Sequence, residues 1–202
     1  MFSLDTFISV FLAAFFSIVA GFYLCSIALR KRQFKQSALV DMGTRYSLHW
    51  WNHLTFRIFR ISIWGICVLR LFYPTIDDVL LLFTTFPKVL NLFGLLLLTG
   101  GFTLTIIAHQ QMNGSWRSGL DRQKLTPLIT HGVYARSRNP AFIGVMAGQL
   151  GFFLALPSMF TLLCLCIGSI AILIQTHLEE RHLLLQHENI YRDYQNHVPR
   201  WF

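Results

Sequence analysis

Residues 7–29 read FISVFLAAFFSIVAGFYLCSIAL and are followed at once by Arg30, Lys31 and Arg32. A bilayer core roughly 30 Å thick needs about 20 helical residues to cross it, and this stretch supplies them without a single charge. A secretory signal would carry its positive charges ahead of the apolar core and a small-residue cleavage site behind it. The reversed order here predicts a retained membrane span with the N-terminus outside.

Four more segments extend the pattern. Residues 58–73 are isoleucine-rich but interrupted by Arg60 and Arg70, and 89–108 form an uninterrupted span. Residues 140–155 and 158–176 are parted only by Leu156 and Pro157, which predicts a tight helical hairpin. The 140–155 segment is short for a full crossing, so a tilted or re-entrant path stays open. A composition of 54% hydrophobic residues and a mean hydropathy of +0.51 fit the same class. The fold expected is an all-α integral membrane protein with five transmembrane helices in a single domain, 1–202.

Charge sidedness tests the topology. Arg30, Lys31, Arg32, Lys35, Arg45, Arg57 and Arg60 cluster between the first two spans, and Arg117, Arg122, Lys124, Arg136 and Arg138 between the third and fourth. The tail adds Arg181, Arg192 and Arg200, while the opposite side holds Lys88 against Asp5, Asp77 and Asp78. An N-outside, C-inside arrangement thus accounts for the net charge of +8. Because the cations are split among short loops bracketing apolar helices, they do not form the single basic stripe of a nucleic-acid binder. Cys25, Cys67, Cys164 and Cys166 all fall within spans, where cysteine behaves as a small apolar residue, and no disulfide or zinc pattern follows. His49 and His53, four apart beside Tyr46, Trp50 and Trp51, lack further ligands at metal-site spacing and read as packing in a segment at the headgroup level.

Residues 1–109 therefore read as scaffold carrying three spans, and chemistry gathers in 110–202. A connector of about 30 residues between the third and fourth spans is longer than a compact bundle needs, and such loops carry function. It ends at Arg138-Asn139-Pro140, where Asn suits a helix N-cap and Pro the first helical position. The exposed amide groups of that helix end and the Arg138 guanidinium are together suited to an anion. Glu179 and Glu180 leave the fifth span at the same cytoplasmic level, where adjacent carboxylates favour a cationic ligand. The plainer alternatives are a solvated carboxylate pair and an arginine that only marks topology.

The run from Leu128 to Gly144, LITHGVYARSRNPAFIG, is similar to the signature LVxxGxYxxxRxPxYxG of the isoprenylcysteine carboxyl methyltransferase and phospholipid methyltransferase superfamily. Glu179-Glu180, then Tyr191-Arg192-Asp193-Tyr194, then Val198-Pro199-Arg200-Trp201 resemble that superfamily's ending, and Gly114 to Asp121 resembles a GxSWRxGxD segment of bacterial members. Asn139, Phe142 and Val133 depart from the His, Tyr and Pro of the pattern.

The resemblance implies a methyltransferase using S-adenosylmethionine, placed in a bacterial inner membrane with its active site cytoplasmic. The implied fold encloses the cofactor between a cytoplasmic loop, the last helical hairpin and a C-terminal helix. The implied cofactor-binding residues are His131, Gly132, Val133, Tyr134, Arg138, Asn139, Glu179 and Glu180, with Glu180, Glu179 and Arg138 catalytic. Trp116, Arg117, Tyr191 and Tyr194 are expected near the acceptor; at helical spacing the two tyrosines equally suit packing. The acceptor implied is a lipophilic or lipidated molecule drawn from the membrane, with no metal and no nucleic acid. Prenylcysteine carboxylate, ethanolamine-lipid amine and thiol acceptors all remain open. A nicotinamide-dependent membrane reductase of the sterol-reductase type would want more phosphate-binding cations than Arg181, Arg192 and Arg200. A non-enzymatic membrane scaffold is the remaining alternative.

Overall fold

The computed structural model describes residues 3–34, 45–112 and 127–202. Its described helices are α1 (Leu4–Phe34), α2 (Leu48–Phe72), α3 (Ile76–Leu80), α4 (Lys88–Met112), α5 (Pro140–Ala155) and α6 (Met159–His197), with one 3-10 turn at Gly132–Ala135. Among the described residues there is no strand, only an isolated bridge between Leu82 and Ser158. In lipid every backbone polar group must be satisfied internally, and helices do this within one segment. α1, α4 and α6 are each long and apolar enough to cross a membrane, and α5 is a shorter apolar helix. Exposed Ile18, Leu96 and Ile170 cover surfaces that suit acyl chains and not water. The protein is an all-α integral membrane protein.

Helix ends outrun the apolar segments that announced them. α1 continues to Phe34, and α6 passes Thr176 to His197 with non-helical angles only at Glu188 (φ 29°, ψ −98°). α2 begins at Leu48, ten residues before the expected span, because the Ser47 side chain caps it by accepting from the Trp50 amide at 3.1 Å. His49, Trp50, Trp51 and His53, expected at headgroup level, thus lie in the opening turns of α2, with Tyr46 just ahead of its cap. Hydropathy reports how much helix lies in hydrocarbon, whereas the helix itself ends where its caps are. Arg70, buried near the far end of α2, makes a bidentate ion pair with Asp77 of α3, Nη2 to Oδ2 at 2.9 Å.

α5 packs far more extensively on α4 than on α6, its partner in the hairpin. Glycines make this possible. A Cβ on Gly101 would stand 2.6 Å from the Gly148 nitrogen, and one on Gly151 2.7 Å from the Gly94 carbonyl oxygen. The two backbones are therefore in direct contact. Thr105 Oγ1 donates to the Gly101 and Ala141 carbonyls at 2.9 and 3.4 Å, and Asn91 Nδ2 to the Leu154 and Ala155 carbonyls at 3.1 and 3.3 Å. Lipid tails are as apolar as leucine, so close packing and interhelical hydrogen bonds of this kind drive association in a membrane.

The α5–α6 turn is held by a Ser158–Thr161 capping box, and its backbone pairs with the α3–α4 connector through Phe83 N to Pro157 O at 2.9 Å. A core of Leu12, Cys67, Leu80, Leu95, Leu98 and Phe152 closes this end of the bundle. The tight α4–α5 contact leaves open space on its other side, toward α1 and α2. Replacing Gly101 with Val should cost about 1–3 kcal/mol of stability by overpacking, read as a lowered Tm in detergent. Gly21→Ala, where no heavy atom stands within 4 Å of the added Cβ, should leave Tm within a degree or two of the parent.

Candidate active site

Glu180 is the meeting point of three chain segments. Its carboxylate accepts from Asn139 Nδ2 at 2.8 Å, from Arg138 Nε at 3.3 Å and from Arg200 Nη2 at 2.9 Å, with Arg200 Nε at 3.2 Å from both oxygens. Arg138 also donates through Nη1 to the Gln195 and Val198 carbonyls at 3.1 and 2.9 Å, and its amide donates to the Pro199 carbonyl at 3.0 Å. Fully buried Ser137 donates to the Arg200 carbonyl at 3.1 Å. The loop before α5, the middle of α6 and the C-terminal Val198-Pro199-Arg200 are thereby clasped around one buried charge. Because both guanidiniums are hydrogen-bonded to it as well as opposite in sign, the cost of desolvating the carboxylate is offset.

This arrangement corrects two expectations. The Asn139 side chain makes no cap to α5 and is turned to Glu180 instead; its own amide is held by Ser137 Oγ at 3.1 Å. Arg138 does not stand free beside the helix end as half of an anion site, since its donors are engaged by Glu180 and by main-chain carbonyls.

Beside the clasp lies a cavity of about 360 Å³, walled by α1, α2, α4, α5 and α6. Phe15, Phe16, Phe102 and Phe152 give it an aromatic wall, and Tyr134, Arg138, Asn139 and Glu179 bring polar groups to its lining. Successive residues on a helix project about 100° apart, so Glu179 faces this space while its neighbour Glu180 faces the clasp. Glu179 Oε1 accepts from Gln175 Nε2 at 2.9 Å, and Gln175 Oε1 in turn accepts from Asn52 Nδ2 at 3.1 Å. No cation among the described residues pairs with Glu179. It is the one carboxylate on the cavity wall among them.

The loop residues divide into those that reach the cavity and those that support it. Gly132 adopts φ 63°, and a Cβ there would run into the Gln111 side chain, whose Oε1 accepts from the Val133 amide at 2.9 Å. His131, Gly132 and Val133 do not line the cavity; their backbone carries Tyr134 into it. Burial pushes the Tyr134 phenol above its ordinary range, reinforced by the charge of Glu179 and by Tyr194. Tyr194 donates to the Tyr134 carbonyl at 2.6 Å. Tyr191 and Tyr194, expected against the acceptor, pack instead with Val198, Leu183 and Leu184 behind the clasp. Trp116, Arg117 and the whole 114–121 segment lie outside the described residues.

Gln175, Asn52 and Arg200 are the polar partners that reading the sequence did not assign to the site. Gln175 precedes Glu179 by one helical turn at the edge of an apolar run, a signal that was available. Asn52 comes from a distant helix and gave none. His49 and His53 are buried with rings 4.4 Å apart, and no group of three or more metal-ligating side chains occurs among the described residues.

Fold and site together define a helical membrane protein whose polar chemistry opens into a lipophilic cavity. Residues 89–192, just over half of the chain, match the family of the phospholipid methyltransferases, and the chain belongs to that family. It is a membrane methyltransferase of the lipid-modifying kind. No curated protein and no solved structure matches the chain. Removing the central carboxylate with Glu180→Ala leaves Arg138 and Arg200 uncompensated. It should destabilise the protein by about 3–5 kcal/mol, with proteolysis within the 188–202 tail as the local readout.

Proposed function

We propose that this protein transfers a methyl group from S-adenosylmethionine to a lipophilic acceptor held within the bilayer. The observation that carries the reading is Glu179, a carboxylate without an ion-pair partner among the described residues, facing an otherwise largely apolar cavity. An uncompensated charge in such surroundings is costly unless a cation meets it. The methyl donor is cationic, and when bound it supplies a methyl group already activated on sulfonium sulfur. The residues present fit such a group: Glu179 for its positive charge, Tyr134 and Asn139 for its polar groups, and aromatic walls for its adenine. A volume of about 360 Å³ falls within the range of small-molecule sites.

Under this reading the two carboxylates have separate tasks. Glu180 is a positioning residue, which together with Arg138 and Arg200 holds Asn139 and the α5 entrance in place. Glu179 is the catalytic residue. Its Oε1 is turned to Gln175, which leaves Oε2 to face the reactants and take the proton that an amine or thiol acceptor gives up. Gln175 and Asn52 fix the rotamer of that carboxylate from behind. Enclosure excludes water and aligns donor with acceptor, which supplies most of the acceleration for a displacement needing no enzyme nucleophile.

We place the N-terminus outside and the C-terminus and clasp on the cytoplasmic side of a bacterial inner membrane, in agreement with the basic loops. Residues 1–202 act as one domain, because α1 and α2 supply cavity walls to the helices that carry the chemistry.

The test is Glu179→Gln in full-length protein purified in detergent. Binding of labelled S-adenosylmethionine should weaken, and methyl transfer into a bacterial lipid extract should fall by about 100-fold or more. The melting temperature should stay close to the parent's, since Gln175 retains a hydrogen-bond partner. Normal turnover in this variant would refute the role.

A further inference from the structure

The cavity wall contributed by α2 has no part in the chemistry described above, yet it brings an arginine to the cavity. His53, Phe56, Phe59, Arg60 and Ile63 line it, at the three- and four-residue spacing of one helix face. The Arg60 guanidinium lies 5.6 Å from the centre of the Tyr23 ring, and its Nε donates to the Phe56 carbonyl at 3.2 Å. No carboxylate among the described residues pairs with Arg60. Two turns away on the same helix, His53 is 9% exposed and also lines the cavity, and its Nε2 meets no hydrogen-bond partner among the described residues. Arg138, the other arginine on the wall, is by contrast ion-paired with Glu180, which it shares with Arg200.

Arg60 is exposed and stands over the Tyr23 ring, and an arginine beside apolar helices that no internal anion answers marks a contact for a ligand. The cavity therefore has an anionic pole at Glu179 and a cationic pole at Arg60, with an aromatic wall of Phe15, Phe16, Phe102 and Phe152 beside them. We propose that Arg60 and His53 form a docking site for the phosphate-bearing headgroup of the lipid acceptor, whose acyl chains lie along that aromatic wall. Repulsion from Glu179 and attraction to Arg60 orient such an acceptor, keeping its phosphate on the α2 side of the cavity. The aromatic surroundings favour a phosphate carried on a lipid over a free one. α2 lies outside residues 89–192, the part shared with the methyltransferase family, as suits a wall that selects the acceptor instead of serving the common chemistry.

The assignment rests on the cavity being the acceptor site, and its test is a binding measurement made without methyl donor. Full-length protein in neutral detergent is titrated with dioctanoylphosphatidic acid and with dioctanoylglycerol, which share acyl chains and differ by the phosphate, using thermophoresis. The parent should bind the phosphatidic acid at least about tenfold more tightly, the scale of charge-assisted hydrogen bonds. Arg60→Gln should abolish that preference and leave both the diacylglycerol affinity and labelled S-adenosylmethionine binding unchanged, which also certifies its fold. Arg60→Lys should keep part of the preference, and inorganic phosphate at matched concentration should not displace the lipid.

Three results would overturn the proposal. Arg60→Gln could keep the full preference, inorganic phosphate could bind as tightly as the lipid, or the variant could lose S-adenosylmethionine binding with lipid binding intact. The last would make Arg60 a cofactor-carboxylate site. Failure of the methyltransferase reading shows separately, as a parent protein that binds no S-adenosylmethionine.

Discussion

The ion-pair clasp around Glu180 is the constraint on which the rest of the site depends. A carboxylate buried at the edge of a membrane is costly to desolvate, and the cost is offset only when its oxygens are met by well-placed donors. Glu180 is met by two guanidiniums and an amide, and these come from either side of the α5–α6 hairpin. The loop before α5, the middle of α6 and the C-terminal residues must consequently close together or not at all. Tyr134 and Asn139 reach the cavity because that closure holds the loop that bears them, with Tyr194 bonded to the Tyr134 carbonyl from behind.

The cavity itself is a consequence of packing elsewhere. Gly94 and Gly101 on α4 meet Gly144, Gly148 and Gly151 on α5, so these two helices approach until their backbones touch. A pair drawn together that closely recedes from the helices on its other flank. There the bundle is spanned by long side chains instead, such as the Phe15–Phe102 and Phe16–Phe152 ring pairs at 5.5 and 5.0 Å. A void bordered by rings within a membrane is accessible to lipid-like molecules, whereas one closed by packed backbone would not be.

Charge is partitioned across this space in a way that separates structural from reactive groups. Arg138 and Arg200 share the one carboxylate of Glu180, so the clasp is internally hydrogen-bonded and retains a single positive charge. Glu179 and Arg60 are left without ion-pair partners among the described residues, on different helices lining the same cavity. Low-dielectric walls strengthen the field of Glu179 toward a bound molecule. Preorganised charges of this kind need little rearrangement when ligands arrive, and electrostatic catalysis relies on that property.

Membrane embedding was legible from residues 7–29 and 89–108 alone, because the thickness of hydrocarbon sets a length that composition either meets or does not. The α5–α6 hairpin was legible from Leu156-Pro157 between two apolar runs. Arg138, Asn139, Glu179 and Glu180 stood out because polar residues crowd there beside apolar spans. The division of labour between the two glutamates was not legible, since neighbours on a helix point about 100° apart and only the packed bundle decides what each one faces. Asn139 read as a cap because its local position favours one; Glu180, forty-one residues on, outcompetes that role. The contribution of α2 to the cavity and the attachment of Arg200 to Glu180 likewise join residues far apart in the chain. Local patterns determined where this chain enters the membrane and which residues carry its polarity. Tertiary packing decided which of those charges neutralise one another and which remain to meet a ligand, because an ion pair depends on distance in space and leaves no period or spacing in the sequence.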